Sequence, residues 1–333
     1  MKNKSIIIAE AGVNHNGNLD LAIRLIDEAA KCGADFVKFQ HTNPDLIAPY
    51  AKKAKYQIKN TQNNQSQKSM ILKLHLDWEK AYKILMRRCK LKKIKFLTSA
   101  FSSKDHSVVN KLKLDLIKIP SGEIVNTQLL ETISKSNKKI LLSTGMANIK
   151  EIRNALKILT KKYPLRRITL LHCVSEYPTN FSDVNLQSIN FLRKKFKVDV
   201  GLSDHSLGIE VPIAAIAFGA KVIEKHFTLS KKMDGPDHKA SLEPNEFMSM
   251  VSKIRNIEQA IGRYEKKPNK KELITSNLVR QSIHASKEIN KGDKFNLLNI
   301  CLMRPNNGLD SSNLKSIIGK KAKKFFHKYE PIK

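Results

Sequence analysis

The chain has 333 residues, 41% of them hydrophobic and 27% charged, enough for one large globular domain or a large one with a small companion. No apolar run approaches the roughly 20 residues that span a bilayer, so no membrane association is expected. The formal charge of +31 points toward a polyanion partner. Against that, the basic residues run from Lys2 to Lys333 and the aromatics, only 6%, do not interleave with them; with no helix-turn-helix, zinc-finger or RNA-binding signature, the charge reads as a diffuse solvated surface with no specific nucleic-acid partner.

The first apolar run, Ile6 to Ala9, is cut short by Glu10, too short for a signal peptide. The four cysteines, Cys32, Cys89, Cys173 and Cys301, are far apart and form no C-x-x-C pair, as expected of reduced thiols in a cytoplasmic protein. Short β-branched runs then alternate with helical-period stretches. The strand candidates are Ser5 to Glu10, Ala34 to Gln40, Lys95 to Ser99, Leu116 to Pro120, Lys139 to Ser143, Ile168 to Cys173, Val198 to Ser203 and Lys221 to His226. Eight such units predict a (β/α)8 TIM barrel, a closed parallel barrel within the α/β class. An open doubly wound sheet would favour a glycine-rich phosphate loop after the first strand, and Gly12 to Gly17 does not fit G-x-G-x-x-G. Residues 43–69 read as an unusually long polar loop on the catalytic face. The expected domains are a barrel over 1–265, a charged linker over 266–277 and a small β-rich module over 278–333.

Catalytic groups of such barrels project from the C-terminal strand ends. Here those ends carry Glu10; Lys38 and Gln40; Ser99; Lys118 and Ser121; Ser143; His172 and Ser175; Ser203, Asp204 and His205; and Lys225 and His226. Lys38 and Lys118 interrupt apolar strands. Either they face inward to an anion or they face outward between helices; the hydroxyls of Ser99, Ser121, Ser143 and Ser203 at the same level favour an anion bearing phosphate and carboxylate. His205 and His226 follow neighbouring strands and suit one divalent metal, with Asp204 and Asp237 as orienting groups. Glu123 is a candidate general base, or else an acidic residue favoured by a helix N-terminus.

The segments Ala9-Glu10-Ala-Gly-Val-Asn-His-Asn-Gly17, Val37-Lys38-Phe-Gln40, Lys118-Ile-Pro-Ser-Gly-Glu123, Ser143-Thr-Gly-Met146, Gly201-Leu-Ser-Asp-His205 and Glu224-Lys-His-Phe-Thr228 together resemble the N-acetylneuraminate (sialic acid) synthase family. The C-terminal module resembles the antifreeze-like (SAF) domain that ends those enzymes. The resemblance implies a barrel plus that domain in a domain-swapped homodimer. It implies that Lys38, Ser99, Lys118, Ser121, Ser143 and Ser203 bind phosphoenolpyruvate, and that His205 and His226 bind a divalent metal, Mn2+ or Mg2+. Glu10, Gln40, Tyr177 and Asp237 would surround the sugar, with Arg304 reaching in from the other subunit's SAF domain.

The implied reaction joins phosphoenolpyruvate, an N-acyl amino-sugar aldehyde and water into a nine-carbon sialic-acid-type sugar plus phosphate. The acceptor would be 2,4-diacetamido-2,4,6-trideoxymannose or N-acetylmannosamine. Val174-Ser175-Glu-Tyr177-Pro178 and Gly235-Pro-Asp237 look more like the legionaminic acid synthase branch, and Ser175 joins the substrate-binding candidates. Ser99-Ala-Phe101 lacks a proline common in the family, and Arg304-Pro-Asn-Asn-Gly308 keeps the arginine in an altered turn. Competing expectations are another phosphoenolpyruvate-condensing barrel and a polyanion-binding protein on an inactive barrel.

Overall fold

The computed structural model describes residues 4–61 and 65–333. The chain divides into two compact units, Met1–Gly262 and Arg263–Lys333. The first holds strands β1 (Ile6–Gly12), β2 (Phe36–Gln40), β3 (Lys95–Ser99), β4 (Leu116–Ile119), β5 (Lys139–Ser143), β6 (Ile168–Cys173), β7 (Asp199–Asp204) and β8 (Val222–His226). Each strand pairs in parallel with the next, and β1 pairs with β8, so the expected (β/α)8 barrel closes.

Strand alternation builds two cores. Ile8, Leu97, Leu116, Leu141, Leu171 and Val222 form an apolar layer inside the barrel. Their neighbours Ile7, Ala9, Ile117, Ile140, Leu170 and Ile223 face the helices and join the larger cluster there. Burying each such side chain contributes about 1.5–3 kcal/mol. Helix Leu19–Lys31 shows the matching helical period: it buries Ala22, Leu25, Ile26 and Ala29, and Asn18 caps it by accepting from the Leu21 N–H at 3.0 Å. Gly201 sits where β7 meets β8. A Cβ there would lie 2.5 Å from the Val222 carbonyl oxygen, so any side chain would push the strands apart.

Two segments differ from expectation. Residues 43–69 are not one long loop, since helix Lys55–Thr61 and the start of helix Gln67–Leu74 fall within them; residues 62–64 lie outside the described residues. The polar composition hides the second helix, which Ser66 caps and which buries only Met70 and Leu74, against Val13. Within the second unit, helix Lys270–Val279 covers most of the stretch read as linker, started by a capping box of Asn269 and Glu272. Beyond it, β9 (Ser282–Ala285) and β10 (Ile300–Met303) pair antiparallel over a small core that includes Ile283, Phe295, Ile300 and Phe326. The four cysteines are unpaired thiols. Among the described residues no helix is long and apolar enough to cross a membrane.

Acid should loosen the barrel unit. Burial holds the imidazoles of His15, His106 and His238 down to about 4, against about 6.5 in an unfolded chain. Between those two values the unfolded state binds more protons, so stability falls as pH drops below about 6.5 and is unaffected above it. Each histidine then costs roughly 2 kcal/mol at pH 5. The melting temperature is expected to fall by about 10 °C or more between pH 7.5 and pH 5, and to recover in part when His106 is replaced by Asn. A flat melting profile over that range would count against these buried neutral histidines.

Candidate active site

The site begins two residues beyond the apolar layer. From Ile8, Leu97, Leu116, Leu141, Leu171 and Val222, the same inward faces arrive at Glu10, Ser99, Lys118, Ser143, Cys173 and Glu224; Lys38 and Ser203 come from β2 and β7. All are buried and line one cavity of about 480 Å³. Both lysines therefore point inward. Lys38 Nζ lies 2.7 Å from Glu10 Oε2 and 3.9 Å from Glu224 Oε2. Lys118 Nζ donates to Glu224 Oε1 at 2.9 Å, and Ser203 Oγ donates to the same oxygen at 3.1 Å.

Burial alone would push the Glu224 carboxyl up, but the Lys118 and Lys38 ammoniums outweigh it and hold it at about 2. Burial would likewise lower Lys38, and Glu10 and Glu224 keep it above its ordinary value instead. At Glu10 burial wins over Lys38 and raises the carboxyl. The floor is thus a ring of two cations and two carboxyls. At the same strand ends, the buried hydroxyls of Ser99 and Ser143 have no hydrogen-bond partner among the described residues, leaving donors free for a ligand.

The next level holds Gln40, Ser121, Ser175, Tyr177, His205, His226 and Asp237 around the same cavity. Gln40 Nε2 donates to Glu10 Oε1 at 3.1 Å. The Gly145 N–H donates to Ser121 Oγ at 3.1 Å. A Cβ at Gly145 would collide with the Ser121 and Ser175 hydroxyls, so the glycine lets the two serines close together. The His205 and His226 rings stand 5.4 Å apart, with Tyr177 against His205 at 3.9 Å between ring centres.

His205 Nδ1 lies 2.6 Å from the Val174 carbonyl oxygen, to which only a protonated nitrogen donates; burial would lower this imidazole, but Cys173 and the Val174 carbonyl outweigh it and raise it, so Nε2 would have to give up its proton to a metal. His226 Nδ1 is buried without a hydrogen-bond partner among the described residues and lies 4.0 Å from Asp237 Oδ2. Burial, then His205 and Lys38, hold the His226 imidazole well below its ordinary value, hence neutral. Burial, then Glu10, raises the Asp237 carboxyl to about 7. The orphaned, neutral His226 nitrogen and the neighbouring His205 ring, once a metal displaces its Nε2 proton, fit a divalent ion that completes its shell with oxygens. Among the described residues no group of three or more His, Cys, Asp or Glu could hold one unaided.

Some candidates lie elsewhere. Glu123 does not line this cavity but a neighbouring one of about 460 Å³. The turn Ser121–Glu123 aims Ser121 inward and Glu123 outward, where its carboxylate accepts from Asn126 Nδ2 at 2.6 Å. Asp204 and Lys225 alternate away from the cavity and pair with each other at 2.5 Å, while His172 Nε2 meets the Val184 carbonyl at 2.6 Å. Arg304 follows β10 in the second unit. Three ionisable residues lining the cavity escaped the sequence reading as site groups: Glu224, Cys173 and Tyr56, the last stacked on Tyr177 at 4.8 Å. For Glu224 the signal was present, because period two in Val222-Ile-Glu-Lys-His226 puts it on the same face as His226.

The family model described as "NeuB family" matches residues 25–266. The chain belongs to the NeuB family. It is 50% identical to the N,N'-diacetyllegionaminic acid synthase of Campylobacter jejuni, over 99% of each chain. It is 39% identical to the N,N'-diacetyllegionaminic acid synthase of Legionella pneumophila, over 94% of this chain and 89% of that one. Among solved structures, the N-acetylneuraminic acid (sialic acid) synthetase of Leptospira borgpetersenii superposes with a TM-score of 0.72 at 35% identity, covering 82% of this chain and 90% of that one. The family segments read from the sequence are the ones that form the cavity's polar levels.

Proposed function

We propose that this chain joins phosphoenolpyruvate to an open-chain N-acyl amino-sugar aldehyde, with water, giving a nine-carbon sialic-acid-type sugar and phosphate. The carrying observation is the buried Lys38 and Lys118 pair among unpartnered serine hydroxyls, with the His205 and His226 imidazoles on the same cavity. Lys38 and Lys118, with Ser99, Ser121, Ser143, Ser175 and Ser203, hold the phosphate and carboxylate of phosphoenolpyruvate. Gln40, Tyr177, Asp237 and Glu10 orient the sugar so that its aldehyde carbon faces C3 of the enol. A divalent ion, Mn2+ or Mg2+ on His205 and His226, supplies Lewis-acid polarisation of the aldehyde oxygen when bound. The C2=C3 electron pair forms the new carbon–carbon bond, and the aldehyde oxygen gains a proton. Lys38 and Lys118 hold the phosphate while water adds at C2 and the C2–O bond to phosphate breaks. Glu10, inside the cavity with its carboxyl raised by burial, is better placed than Glu123 to accept the proton of that water.

The second unit is read as an SAF domain that passes to the other subunit of a domain-swapped homodimer, placing Arg304 near the acyl group there. The four free thiols fit a cytoplasmic enzyme. Phosphate release from phosphoenolpyruvate with Mn2+ tests the reading. Release is expected only when an N-acyl amino sugar is present, and chelation should abolish it. Release that needs a simple sugar phosphate instead would favour another condensing barrel. Arg304→Ala should raise the sugar KM about tenfold or more, as loss of a charged hydrogen bond would, with the phosphoenolpyruvate KM little changed. An unaltered sugar KM would remove Arg304 from the site.

A further inference from the structure

The segment Asn14-His-Asn-Gly17 follows β1 directly, yet no residue of it lines the main cavity. Both of its asparagines reach instead into the loop that follows β8. Asn14 Nδ2 donates to the Phe227 carbonyl and to Ser241 Oγ, each at 2.9 Å. Ser241 Oγ donates in turn to the Asp237 carbonyl at 2.7 Å. Asn16 Nδ2 donates to the Asp234 carbonyl at 2.8 Å, and its Oδ1 lies 3.1 Å from His238 Nε2. An amide oxygen only accepts, so Nε2 carries the proton and Nδ1 accepts from the Thr228 hydroxyl at 2.6 Å. Gly235 leaves room for this contact, since a Cβ there would lie 2.6 Å from the His238 ring and 2.9 Å from Asn16 Oδ1. Phe227 and Leu242 pair at the two ends of the loop. Between them Asp237 stands on the cavity wall, 4.0 Å from His226 Nδ1. His226 has a separate hold: it pairs with Glu10 in the barrel ladder, and the Phe227 N–H donates to the Glu10 carbonyl at 2.8 Å. Asn14 Oδ1 is buried without a partner among the described residues, at a cost in stability, as expected of a residue kept for the site rather than for the fold.

We infer that Asn14 and Asn16 are positioning residues, which pin the loop after β8 so that Asp237 keeps its place beside His226 and the sugar. This rests on the proposed condensation, in which Asp237 orients the sugar. Lys38 and Lys118 hang on β2 and β4, away from this loop, so the effect falls on one substrate. Asn14→Ala and Asn16→Ala are assayed for phosphate release with Mn2+, phosphoenolpyruvate and 2,4-diacetamido-2,4,6-trideoxymannose or N-acetylmannosamine, well below each variant's melting temperature. The kcat/KM for the sugar should fall about tenfold or more, as displacement of an orienting group by less than about 1 Å would cause. Phosphoenolpyruvate, titrated with Mn2+ and no sugar, should bind each variant as tightly as the parent chain. Ser241→Ala removes only the hydroxyl that links Asn14 to the Asp237 carbonyl. It replaces Asn14→Ala should that variant not fold, with the same split expected. An unchanged sugar kcat/KM in either folded variant overturns the inference while the condensation stands. So does an equal loss of phosphoenolpyruvate binding, which would mean general loosening of the barrel. No release by the parent chain with either sugar overturns both.

Discussion

Alanine at His226 is expected to slow phosphate release by about a thousandfold or more while the melting temperature moves by no more than a few degrees. The imidazole is buried, neutral and orphaned at Nδ1. Its removal deletes no internal hydrogen bond, so the fold has little to lose. The cost falls on chemistry: losing several kcal/mol of charge stabilisation at the aldehyde oxygen corresponds to at least about three orders of magnitude in rate. His205→Ala should act alike, with a somewhat larger stability change because the bond to the Val174 carbonyl is lost as well. The check is steady-state turnover with excess Mn2+, alongside the metal content of each purified variant. Normal turnover in both variants would sink the pair as a metal site.

Glu224→Ala should do the reverse and strike stability first. Its carboxylate touches Lys118 and Ser203 and faces Lys38 in a fully buried setting. Removing one partner of a buried ion pair typically costs about 3–5 kcal/mol, because the remaining charge is left without compensation. Since the carboxyl is held at about 2, below its ordinary value, the stabilisation is fully present at neutral pH and is lost only as pH falls from about 4.5 through about 2. Chemical denaturation at pH 7.5 should show the loss, and Glu224→Gln should show less of it. Inorganic phosphate, which supplies the missing negative charge, should raise the melting temperature of Glu224→Ala more than that of the parent chain. Equal shifts in both would mean that the lysines do not take the anion.

Most of the barrel was legible because each strand carries one unbroken pattern. Apolar runs such as Ile6 to Ala9 and Ile140 to Leu142 end on polar groups at the mouth, and the helices between them keep their own period. The site was legible to the same depth for residues that interrupt an apolar strand, as Lys38 and Lys118 do. Glu224 was less visible because Lys225 and His226 follow it. Three consecutive polar residues do not say which two share a face until strand direction and register are fixed, and here Glu224 and His226 face in while Lys225 faces out to Asp204. Glu123 is turned off the main cavity for a different reason: the 3-10 turn over Ser121–Glu123 has three residues per turn, so the period of two that would put Ser121 and Glu123 on one face of a strand does not hold there. Helix Gln67–Leu74 was hidden because it buries only Met70 and Leu74, too few positions to show a period.

The ring of Lys38, Lys118, Glu10 and Glu224 also bears on how a turnover ends. A pocket of bare cations would grip phosphate tightly and keep it. Here each ammonium already has a carboxylate neighbour within the barrel, so an incoming anion must share the lysines with ligands that never leave. The glutamates act as tethered competitors, always at hand to reclaim the ammoniums. With the lysines holding phosphate as proposed, substrate affinity would be held down, and released phosphate would find its place refilled from within rather than by solvent.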